Sequence, residues 1–503
     1  MNDPPPFASA AAPLAPTGIE GLDEVLGGGL TAHQLYVVEG LPGTGKTTFA
    51  LQFLMEGARR GESVLHVSLS ETREELRAIS DSHGWSLENV PIHQVLSDGG
   101  GLEPDDQYTV FHPSEVELAE ATARILEQVE RRKPVRLVLD SLSEIRLLAG
   151  SALRYRRQVL ALKQYFAGRG CTVIMLDDRT SRDHDLQVQS IAHGVIVLDQ
   201  SHPDYGAERR RLLVCKFRGA RFRGGYHDLQ IRRGGIEVFP RLVAAEHRAM
   251  LPTEKIASGI PELDQLLGGG IDTGSSTLFV GAPGTGKSSL AAQFVTAAAD
   301  RGRVAVMYIF DESLATLLDR ADGLGIGLRR HVEAGRVNVH SIDPAELSPG
   351  EFSNSIRRAV ERDDVSVISL DSLNGYLNAM PGERFLSIQL HEILAYLGQK
   401  GVATLLVAAH QGLIGTAMHS PVDATYLADA VIMLRYFETR GEIRQAISVV
   451  KRRGGAHERT IREFRLERGG IRLGEPLRQF RGVLTGVPVY EGDEDMLLET
   501  RSP

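Results

Sequence analysis

The 503-residue chain is 42% hydrophobic and 24% charged, with a formal net charge of −9. That length exceeds one hydrophobic core, so two domains of roughly 200 residues or more are expected. No apolar run is long enough to cross a bilayer, and the acidic balance removes any global electrostatic argument for binding nucleic acid. Met1 to Pro16 is rich in Ala and Pro and lacks the basic segment and apolar core of a signal peptide, so it reads as a disordered tail. Cys171 and Cys215 sit in or beside apolar strand-like runs; two buried thiols in a reducing, cytoplasmic setting are expected.

In chain order, the first apolar strand is Leu35-Tyr-Val-Val, followed by Gly40-Leu-Pro-Gly-Thr-Gly-Lys46-Thr47 and then a helical pattern from Thr48. Strand, G-x-x-x-x-G-K-[ST] loop and helix together make a P-loop, a binding site for a nucleoside triphosphate. Gly43, Thr44 and Gly45 let the backbone N–H groups turn toward phosphate oxygens. Lys46 reaches the β/γ-phosphates, Thr47 offers its hydroxyl to Mg²⁺, and Thr48 opens the helix. A second strand, Val64-Leu-His-Val-Ser-Leu, leads to Ser70-Glu71, which places a carboxylate where α/β sheets bind ligands. A third, Val135 to Asp140, ends in the Walker B pattern whose Asp holds Mg²⁺. After Thr172-Val-Ile-Met-Leu the style changes to a β-hairpin, Val195 to Cys215, ending at Lys216 and Arg218.

The same series then repeats. Thr17 to Leu30 aligns without gaps on Ser258 to Ile271, and eight of the fourteen positions are identical. The same offset carries one P-loop onto Gly281-Ala-Pro-Gly-Thr-Gly-Lys287-Ser288, so the chain is a tandem duplication. In the second copy Gly284, Thr285, Gly286, Lys287, Ser288 and Ser289 form the phosphate cradle. Asp311 and Glu312 end the second strand, Asp371 is the Walker B carboxylate, and Lys451 and Arg453 end the hairpin. A strand-end Glu in both repeats favours a catalytic carboxylate, which orients or deprotonates the attacking group, over a helix-capping acid. The recurring Lys/Arg pair favours phosphate contact over a solvated basic turn. The fold class is therefore α/β: two tandem domains, each a mainly parallel sheet flanked by helices with a C-terminal β-hairpin.

The chain resembles the KaiC family, two-domain ATPases and autokinases of the RecA superfamily. The resemblance runs from Thr17 to about Gly486. It rests on the Leu-Asp-x-x-Leu-Gly-Gly-Gly segments, both P-loops, both acidic strand ends, Arg440-Gly-Glu442 and the Lys-x-Arg-Gly pairs. It implies RecA-like domains over 14–248 and 249–486, between a tail at 1–13 and an acidic tail at 487–503. It also implies ATP and Mg²⁺ as cofactors and a homohexamer with ATP at the subunit interfaces. There Lys216/Arg218 and Lys451/Arg453 would reach the adjacent subunit's nucleotide, and His457, in the family's second-repeat ending, would contact ATP. A KaiB-like or signalling protein partner is expected, and membrane or nucleic-acid partners are not.

The departures bear on activity. The family places two adjacent glutamates at each acidic strand end; here the first repeat has Ser70-Glu71 and the second Asp311-Glu312. The second repeat, with two carboxylates, is the better kinase candidate. The family's adjacent Ser-Thr acceptors correspond to Thr425 and Tyr426, which makes Thr425 the candidate phosphoacceptor. The segment after Gly486 is shorter than the family's activator-binding tail. Two other readings remain: a RecA-type nucleic-acid-dependent ATPase, hinted at by Arg209-Arg-Arg211 and Arg221-Phe-Arg223, and an ATP-gated scaffold.

Overall fold

The structure is a computed structural model that describes residues 12–95, 113–179, 186–203, 206–247, 254–343, 345–378, 385–409, 424–439, 441–483 and 489–490. Arg440 and most of both expected tails lie outside these residues. The chain divides into two compact units, Met1–Arg241 and Leu242–Pro503. The division precedes Leu242 and Ala244 because both are buried in a core of the second unit, where Ala244 N also donates to Glu392.

Each unit is built on a nine-stranded sheet. The first runs, in spatial order, Ile92–Gln94, Val64–Ser68, Arg136–Asp140, Thr172–Asp178, Leu35–Gly40, Gly194–Ser201, Arg209–Phe217, Tyr226–Arg232 and Gly235–Phe239. The first six are mutually parallel and the last three continue antiparallel. The second sheet repeats this order: Val337–Ser341, Val304–Ile309, Val365–Asp371, Ala403–Ala409, Ser276–Gly281, Ala430–Thr439, Glu442–Arg452, Ile461–Glu467 and Gly470–Pro476. Both match the tandem RecA-like architecture expected from the sequence.

The P-loop strand lies at the centre of each sheet and is buried along its whole length. The helix after each P-loop, Lys46–Arg59 or Lys287–Asp300, packs apolar residues such as Phe49 and Phe294 into the core. Parallel strands covered on both faces read as continuous apolar runs, which is why these were legible in the sequence. Two details differ from expectation. Cys171 is buried but Cys215 is exposed, because alternation along Arg209–Phe217 turns Leu212 and Val214 inward and Cys215 outward. The strand Arg136–Asp140 also carries a fully buried Arg136, ion-paired to Glu62, donating to the carbonyl of Phe53 at 3.0 Å and stacked over the Phe53 ring.

Candidate functional site

In the first unit the carboxyl ends of adjacent parallel strands bring Gly40, Asp140 and Asp178 to one sheet edge, with Glu71 three residues beyond the end of Val64–Ser68. The P-loop closes over that edge through Gly45, whose φ of 100° suits glycine and which caps the helix starting at Lys46. The site side chains converge on one another. Thr47 Oγ1 lies 3.2 Å from Glu71 Oε1 and 3.3 Å from Asp140 Oδ2. Lys46 Nζ donates to the carbonyls of Gly40 and Leu41, each at 3.0 Å, and pairs with Asp178 Oδ1 at 2.7 Å. Thr44 Oγ1 is spent on the Leu41 carbonyl, bracing the loop. Burial, reinforced by the nearby Glu71 charge, pushes the Asp140 carboxyl up to about 7. Burial also raises Glu71.

The second unit repeats the frame. Gly286, φ 95°, caps the helix from Lys287, and Thr285 Oγ1 bonds the Ala282 carbonyl, as does Lys287 Nζ at 2.8 Å. Ser288 hydrogen-bonds Asp371, whose carboxyl burial pushes up to about 6, and burial pushes Lys287 down to about 8. Thr48 and Ser289 are buried at the helix starts. The two acids beside this site are engaged differently from Glu71. Asp311 Oδ2 accepts a hydrogen bond from Ser372, whose Oγ also receives the Gly375 N–H. Glu312 is held by Arg320 in a two-pronged ion pair with contacts of 2.5 and 2.8 Å.

The oxygen donors fit Mg²⁺. Glu71 Oε2 and Asp371 Oδ2 are buried without a hydrogen-bond partner among the described residues, next to the Thr47 and Ser288 hydroxyls. A hydroxyl with one or two carboxylates is the hard-oxygen set that Mg²⁺ favours beside phosphates. Thr47 with Asp140, and Ser288 with Asp371, are the residues that would hold it.

The Lys/Arg pairs stand at the other end of each sheet. Lys216 pairs across the hairpin with Val195, which lies beside Val37, and Lys451 pairs with Val431, which lies beside Leu278. Gly40 and Gly281 are three strand positions further on, so about 10 Å separates each lysine row from the strand end leading into its own P-loop. Lys216 donates to the carbonyls of Gln189 and Ser190, and Arg218 to that of Ser190. In the second unit Lys451 donates to the carbonyls of Thr425 and Ala428, and Arg453 to Asp429 and the Tyr426 carbonyl. Thr425 is exposed on the short 3₁₀ turn Ala424–Tyr426, beside this pair rather than beside its own P-loop. His457 follows on the loop before Ile461–Glu467. A cavity of about 350 Å³ at this edge is lined by Asp272, Ser275, Asp429, Arg452 and Arg453.

Two functional neighbours were not foreseen. Asp178 ends a parallel strand, so the rule that found Asp140 applies to it as well. Arg320 had no sequence signal, since it lies eight residues past Glu312 on the helix Leu314–Gly323 and only the folded turn brings it back. The arginine cluster is committed to internal pairs, Arg210 with Glu208 and Arg211 with Asp228. Among the described residues no helix is long and apolar enough to cross a membrane.

Comparison with known proteins agrees with this geometry. The family model described as "ATPase: KaiC" matches residues 15–243 and again 256–478. The chain is 28% identical to the circadian clock protein KaiC3 of Synechocystis sp. over 95% of both chains. It is 26% identical to the circadian clock oscillator protein KaiC of Parasynechococcus marenigrum, over 94% of this chain and 92% of that one. The figure for KaiC of Thermostichus vulcanus is also 26%, over 97% and 94%. A family model matching twice across most of the chain, with a complete P-loop constellation in each match, shows that the chain belongs to the KaiC ATPase family.

Proposed function

We propose that this protein binds Mg·ATP in both repeats, hydrolyses it within a homohexameric ring, and in the second repeat also transfers the γ-phosphoryl group to Thr425 of a neighbouring subunit. One observation carries the reading. In each repeat the phosphate-binding lysine, the metal-binding hydroxyl and carboxylate, and the strand-end glutamate meet at one sheet edge, while the Lys/Arg pair stands at the other. Cations some 10 Å or more from their own P-loop serve best at the neighbour's, and a closed ring supplies a neighbour to every site.

In this mechanism Lys46 and Lys287 draw in the β/γ-phosphates, and P-loop N–H groups fix the γ-phosphorus for in-line attack. Mg²⁺, when bound, neutralises charge on the β- and γ-oxygens. Glu71 orients a water molecule and accepts its proton, a task for which burial strengthens it as a base. In the second repeat Thr425 Oγ attacks the γ-phosphorus, the bond to the β,γ-bridging oxygen breaks, and ADP leaves. The hydroxyl proton passes to Glu312, with Asp311 beside it. The incoming Lys216/Arg218 or Lys451/Arg453 pair stabilises negative charge on the transferring group.

Intact mass after incubation with Mg·ATP, followed by site mapping, tests the transfer. A gain of one phosphate on Thr425, absent in Thr425→Ala, is expected; phosphate on Tyr426, or undiminished in Thr425→Ala, refutes the acceptor. Mixed rings test the trans action. On a Lys46→Ala background, Arg453→Ala and Lys287→Ala subunits are each inactive, and mixing them restores turnover at interfaces joining an intact P-loop to an intact arginine. No recovery in verified mixed rings refutes the assignment.

A further inference from the structure

Glu312 and Glu71 stand at equivalent positions of the two repeats, yet their surroundings differ. Glu71 leans on Thr47 Oγ1, and its other oxygen is buried without a hydrogen-bond partner among the described residues. Glu312 has both oxygens taken by the guanidinium of Arg320. The pair is half-sheltered from solvent, with side-chain exposures of 33% for the arginine and 17% for the glutamate, so water weakens it less than a surface pair. It also stands beside the site: both Arg320 and Glu312 act electrostatically on the Asp371 carboxyl. At the offset relating the two P-loops, the first repeat has Ile79 in place of Arg320. The brace is therefore private to the second repeat.

We propose that Arg320 is a latch on the second repeat, holding Glu312 away from the nucleophile until the pair opens. A carboxylate held in a fork of charge-assisted hydrogen bonds has one lone pair of each oxygen taken by the guanidinium, which fixes its orientation and weakens it as a base toward a water molecule or a threonine hydroxyl. Proton abstraction requires a base within hydrogen-bond reach of that proton, so the Arg320 contacts must be exchanged first. The opening free energy then adds to the barrier for both hydrolysis and phosphoryl transfer in this repeat, while the first repeat carries no such step. The latch rests on Glu312 acting as the base, as proposed above.

The test uses full-length hexamer on a Lys46→Ala background, so that only the second repeat turns over, and compares Arg320→Ile, Arg320→Lys, Glu312→Gln and the double variant Arg320→Ile/Glu312→Gln. Arg320→Ile, which installs the first repeat's residue, is expected to raise kcat and the rate of phosphate gain about tenfold, the effect of removing about 1.4 kcal/mol of opening cost, with KM for ATP little changed. Arg320→Lys keeps the charge but loses the fork, and gives a smaller rise. In the double variant the gain disappears, because the arginine acts only through the carboxylate. Unchanged or lower kcat in both Arg320 variants, with ATP binding retained, overturns the latch while leaving Glu312 as the base. Undiminished turnover in Glu312→Gln alone overturns the base assignment, and the latch with it.

Discussion

The two repeats share one backbone plan and differ in how charge is wired at the same sheet edge. In the first, Lys46 is paired with Asp178, and Glu71 touches the Thr47 hydroxyl. In the second, the strand position equivalent to Asp178 is Ala409, leaving Lys287 on a backbone carbonyl, and the glutamate is braced by an arginine. Even the strand between them differs: His66, buried and 3.9 Å from Asp140, has Met307 at the equivalent place. Burial holds this histidine down to about 4, so it stays neutral beside the Asp140 carboxyl. On the proposed function, a duplicated frame therefore sets where phosphate, metal and base would sit. The partners of each group decide how readily each site works, and those partners are the natural points at which the two sites can be made alike or driven apart.

The largest expected effect comes from removing the phosphate-binding cations. Lys46→Ala should abolish turnover in the first repeat and Lys287→Ala that in the second, each by about 10²-fold or more at its own site. Each single variant therefore keeps hydrolysing ATP and the double variant does not. Steady-state phosphate release decides this. Silence of hexameric Lys46→Ala would mean that the second repeat has no independent activity.

The glutamates divide the chemistry further. Glu71→Gln keeps shape and the Thr47 contact but loses the base, so first-repeat turnover should fall about 10²-fold with ATP affinity preserved. Glu312→Gln should suppress phosphate gain as strongly. Its effect on hydrolysis should be smaller in absolute rate, since the proposed Arg320 latch makes that repeat start slower. Equal losses of absolute rate in the two repeats would remove the contrast drawn between them.

Strand order, the central P-loop strand and the convergence of Lys, Thr/Ser, Asp and Glu could be anticipated because each rests on a local rule. Buried parallel strands are continuously apolar, glycines mark the phosphate turn, and acids at strand ends face the ligand edge. What could not be read were pairings between residues that only folding makes neighbours. Asp178, at the end of one strand, meets Lys46 at the start of a helix distant in sequence, and Arg320 returns to Glu312 from a helix. Arg136 was hidden for the opposite reason, since a strand that reads as apolar gives no hint that one of its side chains is a cation buried against Glu62. Cys215 shows that proximity to an apolar run does not fix which face a strand residue takes.

A pH comparison sharpens the electrostatic picture. The Asp140 carboxyl is raised from 3.8 to about 7 by burial, so the native state keeps its proton where the unfolded chain has lost it. The stabilisation this supplies is complete below about pH 4 and is lost as pH rises through about 7. Mg²⁺ held there, as proposed, would require the ionised form and reverse the trend. Metal-free protein should therefore gain more in thermal stability from Mg²⁺ at pH 8 than at pH 6, and Asp140→Asn should shrink that difference. An Mg²⁺ increment that is the same at both pH values and unaltered in Asp140→Asn would show that this carboxyl does not govern the metal site.

The smallest expected effect belongs to the Lys46–Asp178 pair, and it tests the contrast reciprocally. When ATP arrives, its γ-phosphate and the Asp178 carboxylate compete for one ammonium group, and the two anions repel each other. Asp178→Ala should tighten ATP in the first repeat by a few-fold, since a partly exposed pair is worth on the order of 1 kcal/mol. The gain should shrink as salt rises, because screening already weakens the carboxylate it removes. The converse substitution, Ala409→Asp, places a carboxylate where the second repeat has none. It should weaken ATP there at pH 7 by a similar factor. It should also hold the Lys287 proton above its present value of about 8, so that second-repeat affinity falls off at a higher pH than in the unsubstituted protein. Fluorescent-nucleotide titrations of Lys287→Ala and Lys46→Ala backgrounds read the two sites separately. Weaker binding in Asp178→Ala would show that this carboxylate positions Lys46 for phosphate rather than competing with it.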